Sequence, residues 1–108
     1  MGARETYKLR SKVVIWPVDQ GAWHFVHLDA KKSEEIKRKH GMVKRGFGSI
    51  PVMATIGQTT WQTSIFPDKR SGTYLLPLKV KVRQAEGIAA DDTVSFFITI
   101  RDQGKMEK

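Results

Sequence analysis

The sequence predicts one mainly β domain, in which six to seven strands and two short helices close a small barrel. The first observation is that apolar and polar residues alternate over short stretches, most clearly at residues 94–100, because a period of two is typical of half-buried strands. The second is that glycine and proline separate these stretches at short intervals, which indicates turns. The third is a weak internal repeat, which predicts a pseudo-twofold arrangement of two similar halves.

The internal repeat consists of two passes with the same order of features. Each pass has an aromatic residue followed by proline, a turn, a second aromatic residue, a helix and a strand. The first pass runs from Trp16 to Ile56, and the second runs from Phe66 to Ile100. Because the helix of either pass is too small to cover its strands, we expect the two passes to interleave, to cover each other's edges and to bury their apolar faces together.

A first hairpin is predicted near the start of the chain. Its first strand covers residues 7–16 and is expected to end at Pro17, which has no N–H to donate to a ladder. Turn-forming residues follow at 19–21, and the second strand covers residues 22–28.

A second hairpin is the clearest local signal in the chain. It joins residues 50–56 to residues 59–66 through Gly57 and Gln58, and glycine at the first position of a two-residue loop suits a type II′ turn. Pro67 is expected to end the later strand. A short strand over residues 74–76 follows.

The segment after this strand fits two structures. Its apolar residues alternate over residues 76–83, which favours a strand. However, Pro77 suits the first position of a helix, Gly87 suits its C-terminal stop, and Leu78, Val82 and Ala85 would share one helical face. We predict a short helix over residues 77–86, followed by a turn and the final strand.

The first helix carries most of the positive charge. A polar segment predicts this helix over residues 29–40, ending at Gly41, and its only large apolar residue is Ile36, so it should lie on the surface. Residues 31–45 hold seven basic and two acidic residues, which is five of the eight net positive charges of the chain. The basic residues are Lys31, Lys32, Lys37, Arg38, Lys39, Lys44 and Arg45. A solvated face is the favoured interpretation, and a nucleic-acid surface is the alternative.

Composition bounds the class of protein. Residues 1–108 are expected to form a single domain, with an ordered barrel over residues 5–101 and frayed ends at 1–4 and 102–108. The chain has no cysteine, which excludes a disulfide framework and a thiolate metal site and fits a reducing compartment. The apolar run at residues 13–16 is too short for a signal peptide or a membrane span. A cytoplasmic protein without membrane contact is therefore expected.

No motif in the chain indicates catalysis or a metal site. The histidines are His24, His27 and His40, and the first two are three residues apart on a predicted strand, so they point to opposite faces and cannot share a metal ion. No carboxylate pair, nucleophile elbow or glycine-rich phosphate loop is present. We therefore expect no catalytic residue, no metal and no cofactor, although an enzyme assembled from distant residues stays open.

The strongest polar and aromatic cluster is formed by Trp61, Thr63, Lys79 and Arg83. Trp61 and Thr63 share a strand face, and Lys79 and Arg83 are four residues apart in the predicted helix, so an anion could bind among them. The competing interpretation is that Trp61 belongs to the core and that the two basic side chains cover it with their aliphatic stems.

Two further tryptophans, Trp16 and Trp23, flank the first hairpin loop. Packing at the end of the barrel is the favoured interpretation, and an exposed binding platform is the alternative.

Residues 54–67 read ATIGQTTWQTSIFP and carry the most specific resemblance in the chain. They resemble a bacterial family known as a domain of unknown function (nineteen-oh-five), and the resemblance extends over nearly the whole chain. The other matching positions are Trp23, His24, Phe25, Val26, Gly72, Tyr74, Leu76, Pro77, Leu78, Lys79, Arg83, Gly87, Ile88, Asp92, Thr93 and Val94.

The resemblance implies a fold grouped with the AbrB/MazE-like double-split β-barrels. Residues 76–94 are similar to the core of those DNA-binding proteins, and this similarity favours the helix over residues 77–86. Where relatives place glycine before the turn aspartate, this chain has Asp91, which tolerates a left-handed conformation better than most residues. About activity the resemblance implies little, because a fold does not determine a function.

The first functional hypothesis is a small non-enzymatic binding module, with an anionic or small-molecule ligand near Trp61, Lys79 and Arg83. The alternative is a nucleic-acid-binding protein that uses the basic surface of residues 31–45 and the N-terminal strand. An enzyme of unknown type is the third hypothesis. Either a monomer or a homodimer fits the sequence.

Overall fold

The computed structural model describes residues 6–19, 21–40 and 48–101. Over these ranges the chain forms seven strands and two helices, so the mainly β class is confirmed. In chain order the elements are β1 Thr6–Lys12, β2 Val14–Val18, β3 Gly21–His27, α1 Ala30–His40, β4 Ile50–Ile56, β5 Thr59–Asp68, β6 Thr73–Pro77, α2 Val80–Glu86 and β7 Thr93–Ile100. The predicted helix stop at Gly41, the basic residues Lys44 and Arg45, and the predicted frayed ends lie outside the described residues.

The seven strands form one curled antiparallel sheet in the order β1-β7-β4-β5-β6-β3-β2. Strands β1 and β2 are the two edges of this order, yet only Val13 separates them in the chain. The two edges therefore approach each other at Val13, and the sheet has the shape of a half-barrel. A fully closed barrel and a pseudo-twofold repeat go beyond this arrangement and stay predictions.

A loop before β7 holds the junction at Val13. The Val13 amide donates to the Asp92 carbonyl at 2.8 Å, and the Asp91 amide donates to the Val13 carbonyl at 2.9 Å. Asp91 has a φ of 72°, and the Asp92 carboxylate accepts the Ala89 amide at 2.8 Å, so the predicted turn is confirmed. The expectation of one continuous first strand is wrong, because the chain breaks at Val13 to pass from one sheet edge to the other.

The sequence predicted strand ends at Pro17 and Pro67, and both strands continue beyond these residues. Pro17 lies inside β2, whose only neighbour in the described sheet is β3. Its missing N–H therefore costs no ladder bond on the unpaired edge of β2. Pro67 lies inside β5, which continues to Asp68. The pairing of β4 with β5 ends at Ile65, so Pro67 has a partner strand on one side alone.

The core lies on one face of the curled sheet, which we call the core face. It is built from alternate residues of the strands, and members such as Val52, Ile65, Leu76 and Phe96 are fully buried. Strands β4, β5 and β7 are neighbours and share this interior, so the expectation that strands of the two passes bury their apolar faces together is confirmed for these three strands. The opposite side of the sheet is the outer face.

Helix α1 begins at the N-cap Asp29, whose Oδ1 accepts the Lys32 amide at 2.7 Å. Ile36 is fully buried although most of the helix is exposed. The buried Ser33 Oγ donates to the Leu28 carbonyl at 3.4 Å and accepts the Tyr74 amide at 3.0 Å, which fixes α1 against β6. The predicted surface helix is confirmed.

Helix α2 exists as predicted but starts three residues later. Pro77 still pairs with Phe25 in the sheet, and the Leu78 amide donates to the His24 carbonyl at 2.9 Å. These two residues therefore continue the ladder between β6 and β3 instead of starting the helix. Ala85 is exposed rather than part of a buried face. Gly87 ends the helix with a φ of 63°, as predicted.

The predicted β4–β5 hairpin is confirmed. Gly57 has a φ of 57°, and Asp91 is the only described non-glycine residue with a positive φ, so Gln58 has a negative one. This combination fits a type II′ turn. From α2, Glu86 Oε2 accepts the Thr59 hydroxyl at 2.6 Å and the Gln58 amide at 3.3 Å, which ties the helix to the turn.

Neither helix in the described part of the chain has the length and apolar character needed to cross a membrane.

Candidate ligand-binding groove

The residues of the predicted anion cluster have different environments. Trp61 is only 9% exposed and belongs to the core, and Thr63 is half-buried beside Val52 in the sheet register. Lys79 is exposed at the N-cap of α2, where its side chain makes no capping bond. Arg83 is half-buried, and its Nε donates to the Leu78 carbonyl at 3.0 Å. None of the described ring contacts joins a basic side chain to Trp61, so an anion site here stays a prediction.

The predicted basic surface is partly described. Lys31, Lys37, Arg38 and Lys39 are exposed on α1, and Lys32 is half-buried. Two of these cations have partners on or next to the helix: Lys32 Nζ lies 3.8 Å from the carboxylate of Asp29, and Lys39 Nζ lies 3.2 Å from that of Glu35. The surface is therefore basic but partly compensated.

A different feature dominates the outer face of β2, β3, β5 and β6. It is a groove with a volume of about 320 Å³ that is lined only by apolar residues. They are Trp16, Val18, Trp23, Phe25, Phe66, Leu75 and Pro77.

The strand register explains why these side chains meet. Trp16 lies opposite Trp23, Phe25 lies opposite Pro77, and Phe66 lies opposite Leu75. Because side chains alternate along a strand and directly opposed residues share a face, the whole set lies on one side of the sheet. Their chain neighbours, among them Val26, Leu76 and Ile65, point to the core face instead.

The groove leaves large apolar side chains in contact with solvent. Trp16 is 49% exposed, Trp23 is 61% exposed and Phe66 is 40% exposed. The favoured sequence interpretation, that Trp16 and Trp23 pack at the end of a barrel, is wrong, because no element covers the outer face of the β2–β3 hairpin in the described chain. A cluster of exposed aromatic residues of this kind is typical of a binding site.

One end of the groove is polar. A second cavity of about 300 Å³ shares Trp16, Phe25 and Leu75 with the first, so the two cavities adjoin along these side chains. This second cavity is also lined by Val14, Ile15, His27, Asp68 and Arg70. The guanidinium carbon of Arg70 lies 4.9 Å from the centre of the Trp16 ring, which is a cation–π contact.

Hydrogen bonds at the polar end form a directed relay. Asp68 Oδ2 accepts the Ser71 hydroxyl at 2.7 Å, and this bond is the main reason that the pKa of the Asp68 carboxyl is lowered. Because Ser71 has given its only hydroxyl proton, it accepts from Thr73 at 2.7 Å, and Thr73 in turn accepts from His27 Nδ1 at 2.8 Å. The relay therefore makes His27 Nδ1 the donor in its bond to Thr73.

The described residues assemble no metal site. No group of three or more His, Cys, Asp and Glu side chains among them is placed to hold a metal ion. His24 lies on the other side of β3 from His27 and donates from Nδ1 to the Ala22 carbonyl at 3.3 Å.

The fold is a small half-barrel domain with an external, mostly apolar groove. The chain belongs to the family described as "Domain of unknown function (DUF1905)", whose family model matches residues 10–98. This match confirms the resemblance found in the sequence, and it includes every residue that lines the groove. No curated protein matches the chain.

Sequence reasoning missed Phe66, Leu75, Pro77 and Arg70 as members of a site. A signal was present, because the segments 13–18 and 74–78 are apolar at both phases of the strand period. A strand with one solvated face needs apolar residues at one phase alone. Apolar residues at both phases indicate that the second face is also covered, either by the protein or by a ligand.

Proposed function

We propose that this domain is a small non-enzymatic binding module whose ligand is a small molecule with a flat apolar body. The observation that carries the proposal is the outer-face groove, whose apolar walls include the exposed cross-strand partners Trp16 and Trp23. Ring faces of this kind bind flat apolar groups by stacking and by removal of water from both surfaces.

The size of the groove supports a small ligand. Its volume of about 320 Å³ lies at the lower end of the range of roughly 300–1,000 Å³ for small-molecule sites. Burial of about 200 Å² of apolar surface would contribute roughly 5 kcal/mol, which corresponds to a dissociation constant between micromolar and millimolar. A bicyclic aromatic compound is a suitable probe.

The test is a ligand-detected NMR titration with 2-naphthamide, which is flat and uncharged. We expect wild-type protein to bind it and Trp23→Ala to weaken binding at least about tenfold, since half of the aromatic pair is lost. Phe97→Ala is the matched control, because Phe97 is 41% exposed but lies on β7, outside the groove. Absence of binding, or equal loss in both variants, would contradict the proposal.

The cluster of Trp61, Thr63, Lys79 and Arg83 is the other location at which an anionic ligand was expected. The bond from Arg83 Nε to the Leu78 carbonyl and the burial of Trp61 weigh in favour of the groove. We expect Arg83→Ala to lower the thermal midpoint and to leave 2-naphthamide binding unchanged. Loss of binding without loss of stability would instead favour the cluster.

Nucleic-acid binding is a second candidate function, and one observation favours it. Lys8, Arg10 and Lys12 are exposed in a row on β1, and Lys8 pairs with the exposed Phe97 of β7. Cations of this kind contact phosphates, and an aromatic ring can stack on a base.

The salt dependence of binding tests this candidate. The affinity for random duplex and single-stranded DNA should fall steeply as salt increases, and Lys8→Gln should reduce the slope by about one phosphate contact. Lack of binding to either DNA at low salt would remove this function.

We also propose that the curled sheet closes as a double-split β-barrel related to the AbrB/MazE-like proteins. The junction at Val13, which joins the two edge strands, supports closure, and the similarity of residues 76–94 supports the relationship. Amide hydrogen exchange tests it: closure predicts slow exchange on the outward edges of β1 and β2, whereas open edges would exchange rapidly.

A further inference from the structure

We infer that the ligand of the outer-face groove carries a carboxylate or a similar planar anion, which Arg70 binds at the polar end. This inference rests on the proposed function and adds the charge of the ligand to its shape.

Arg70 is already oriented for this role. Its guanidinium lies over the Trp16 ring, which also belongs to the apolar walls, so the cation borders the place where a flat ligand would stack. A guanidinium presents its N–H donors in a planar fork that matches a carboxylate. Stacking on an indole restrains the side chain, which lowers the entropy lost on binding.

The Asp68 carboxylate nearby attracts Arg70 but forms no ion pair with it. Asp68 is held by the hydroxyl and amide of Ser71, at 2.7 and 3.3 Å, and Arg70 makes no ion pair with any described residue. The turn itself carries Lys69 and Arg70 against Asp68, and the whole chain has a net charge of +8. The electrostatic field at this end therefore favours an anion over a cation.

An unpaired cation also selects against a neutral ligand. A flat body that stacks against Trp16 would remove water from the guanidinium without giving it a partner, and desolvation of an unpaired charge is costly. A ligand that ends in a carboxylate replaces the lost water with charge-assisted hydrogen bonds. The same groove should therefore bind an acid more tightly than the amide of the same shape.

The experiment compares 2-naphthoate with 2-naphthamide at pH 7.5 and low salt by ligand-detected NMR titration. We expect wild-type protein to bind the acid at least about fivefold more tightly than the amide. Arg70→Gln should remove this preference, and Lys69→Gln should keep it, because Lys69 lies on the same turn but does not line the groove. Circular dichroism confirms that each variant is folded.

The outcomes separate the two claims. Equal affinities in wild type, or a preference that survives in Arg70→Gln, would overturn the inference while the groove remains a binding site for flat apolar molecules. If neither compound binds, the proposed function itself fails. If the preference disappears in Lys69→Gln to the same extent as in Arg70→Gln, the effect belongs to net charge, and the assignment to Arg70 is overturned.

Discussion

The two halves of the sheet use their outer faces differently. In the half formed by β4, β5 and β7, the core face is apolar and the outer face is mostly polar, with residues such as Thr60, Gln62 and Ser95 exposed. In the half formed by β2, β3 and β6, both faces are apolar, and the outer one bears Trp16 and Trp23. Under the proposed function, the first half contributes stability alone, and the second half also provides the groove in which a ligand would bind.

The largest expected contrast is between a core aromatic residue and a groove aromatic residue. Phe96 is fully buried, so Phe96→Ala should lower the free energy of unfolding by about 3–5 kcal/mol through lost burial and a cavity. Trp23 is 61% exposed, so Trp23→Ala should change it by less than about 1 kcal/mol. Urea denaturation measures both. Similar losses in the two variants would mean that Trp23 is structural and that the two halves do not differ as described.

Two turns offer a second contrast: the turn at Gly57 lies within the first half, and the turn at Gly72 joins β5 of the first half to β6 of the second. Gly57 and Gly72 both have positive φ, so alanine at either position should cost about 1 kcal/mol. At Gly57 a Cβ would also displace the Glu86 carboxylate, which accepts the Thr59 hydroxyl and the Gln58 amide, whereas nothing lies within 4 Å of a Cβ at Gly72. Gly57→Ala should therefore have a lower thermal midpoint than Gly72→Ala, and the opposite order would contradict the contact between α2 and the β4–β5 turn.

The smallest expected effect concerns the turn that carries Arg70. The hydrogen bond from Ser71 lowers the pKa of the Asp68 carboxyl in the folded state below its ordinary value of 3.8. A lowered folded-state pKa stabilises the fold above the ordinary pKa, and this stabilisation is lost as the pH falls through the lowered value.

A comparison of wild type with Asp68→Asn from pH 7 to pH 2 tests this effect. The thermal midpoint of wild type should exceed that of Asp68→Asn by a constant amount above about pH 5, and the difference should shrink in more acidic solution. Asp19→Asn, on the exposed β2–β3 turn, serves as the control. A difference that persists unchanged at pH 2 would contradict the proposed origin of the stabilisation.

Much of the fold could be predicted from local patterns. Alternation identified β4, β5 and β7, and glycine marked the turn at Gly57 and the end of α2 at Gly87. The break at Val13 could not be predicted, because it depends on hydrogen bonds to Asp91 and Asp92, which are distant in the chain. The strand ends predicted at the prolines were wrong, since a strand tolerates a proline wherever no neighbouring strand needs its N–H.

The site was harder to predict than the fold. The residue types of Trp61, Lys79 and Arg83 suggested an anion site. Spacing in the sequence does not show which side chains contact each other, and Trp61 lies in the core. The groove residues come from four strands, so only the register, for example Trp16 opposite Trp23, brings them together.

The central claim is that the outer face of the β2–β3–β6 half is an open site while the core is closed, and the three tryptophans test it in one measurement. Protein-detected NMR resolves their indole N–H signals during a titration with 2-naphthamide. The account predicts that the signals of Trp16 and Trp23 shift and that the signal of Trp61 stays in place. A shift of Trp61 alone, or no shift of either groove tryptophan, would contradict it.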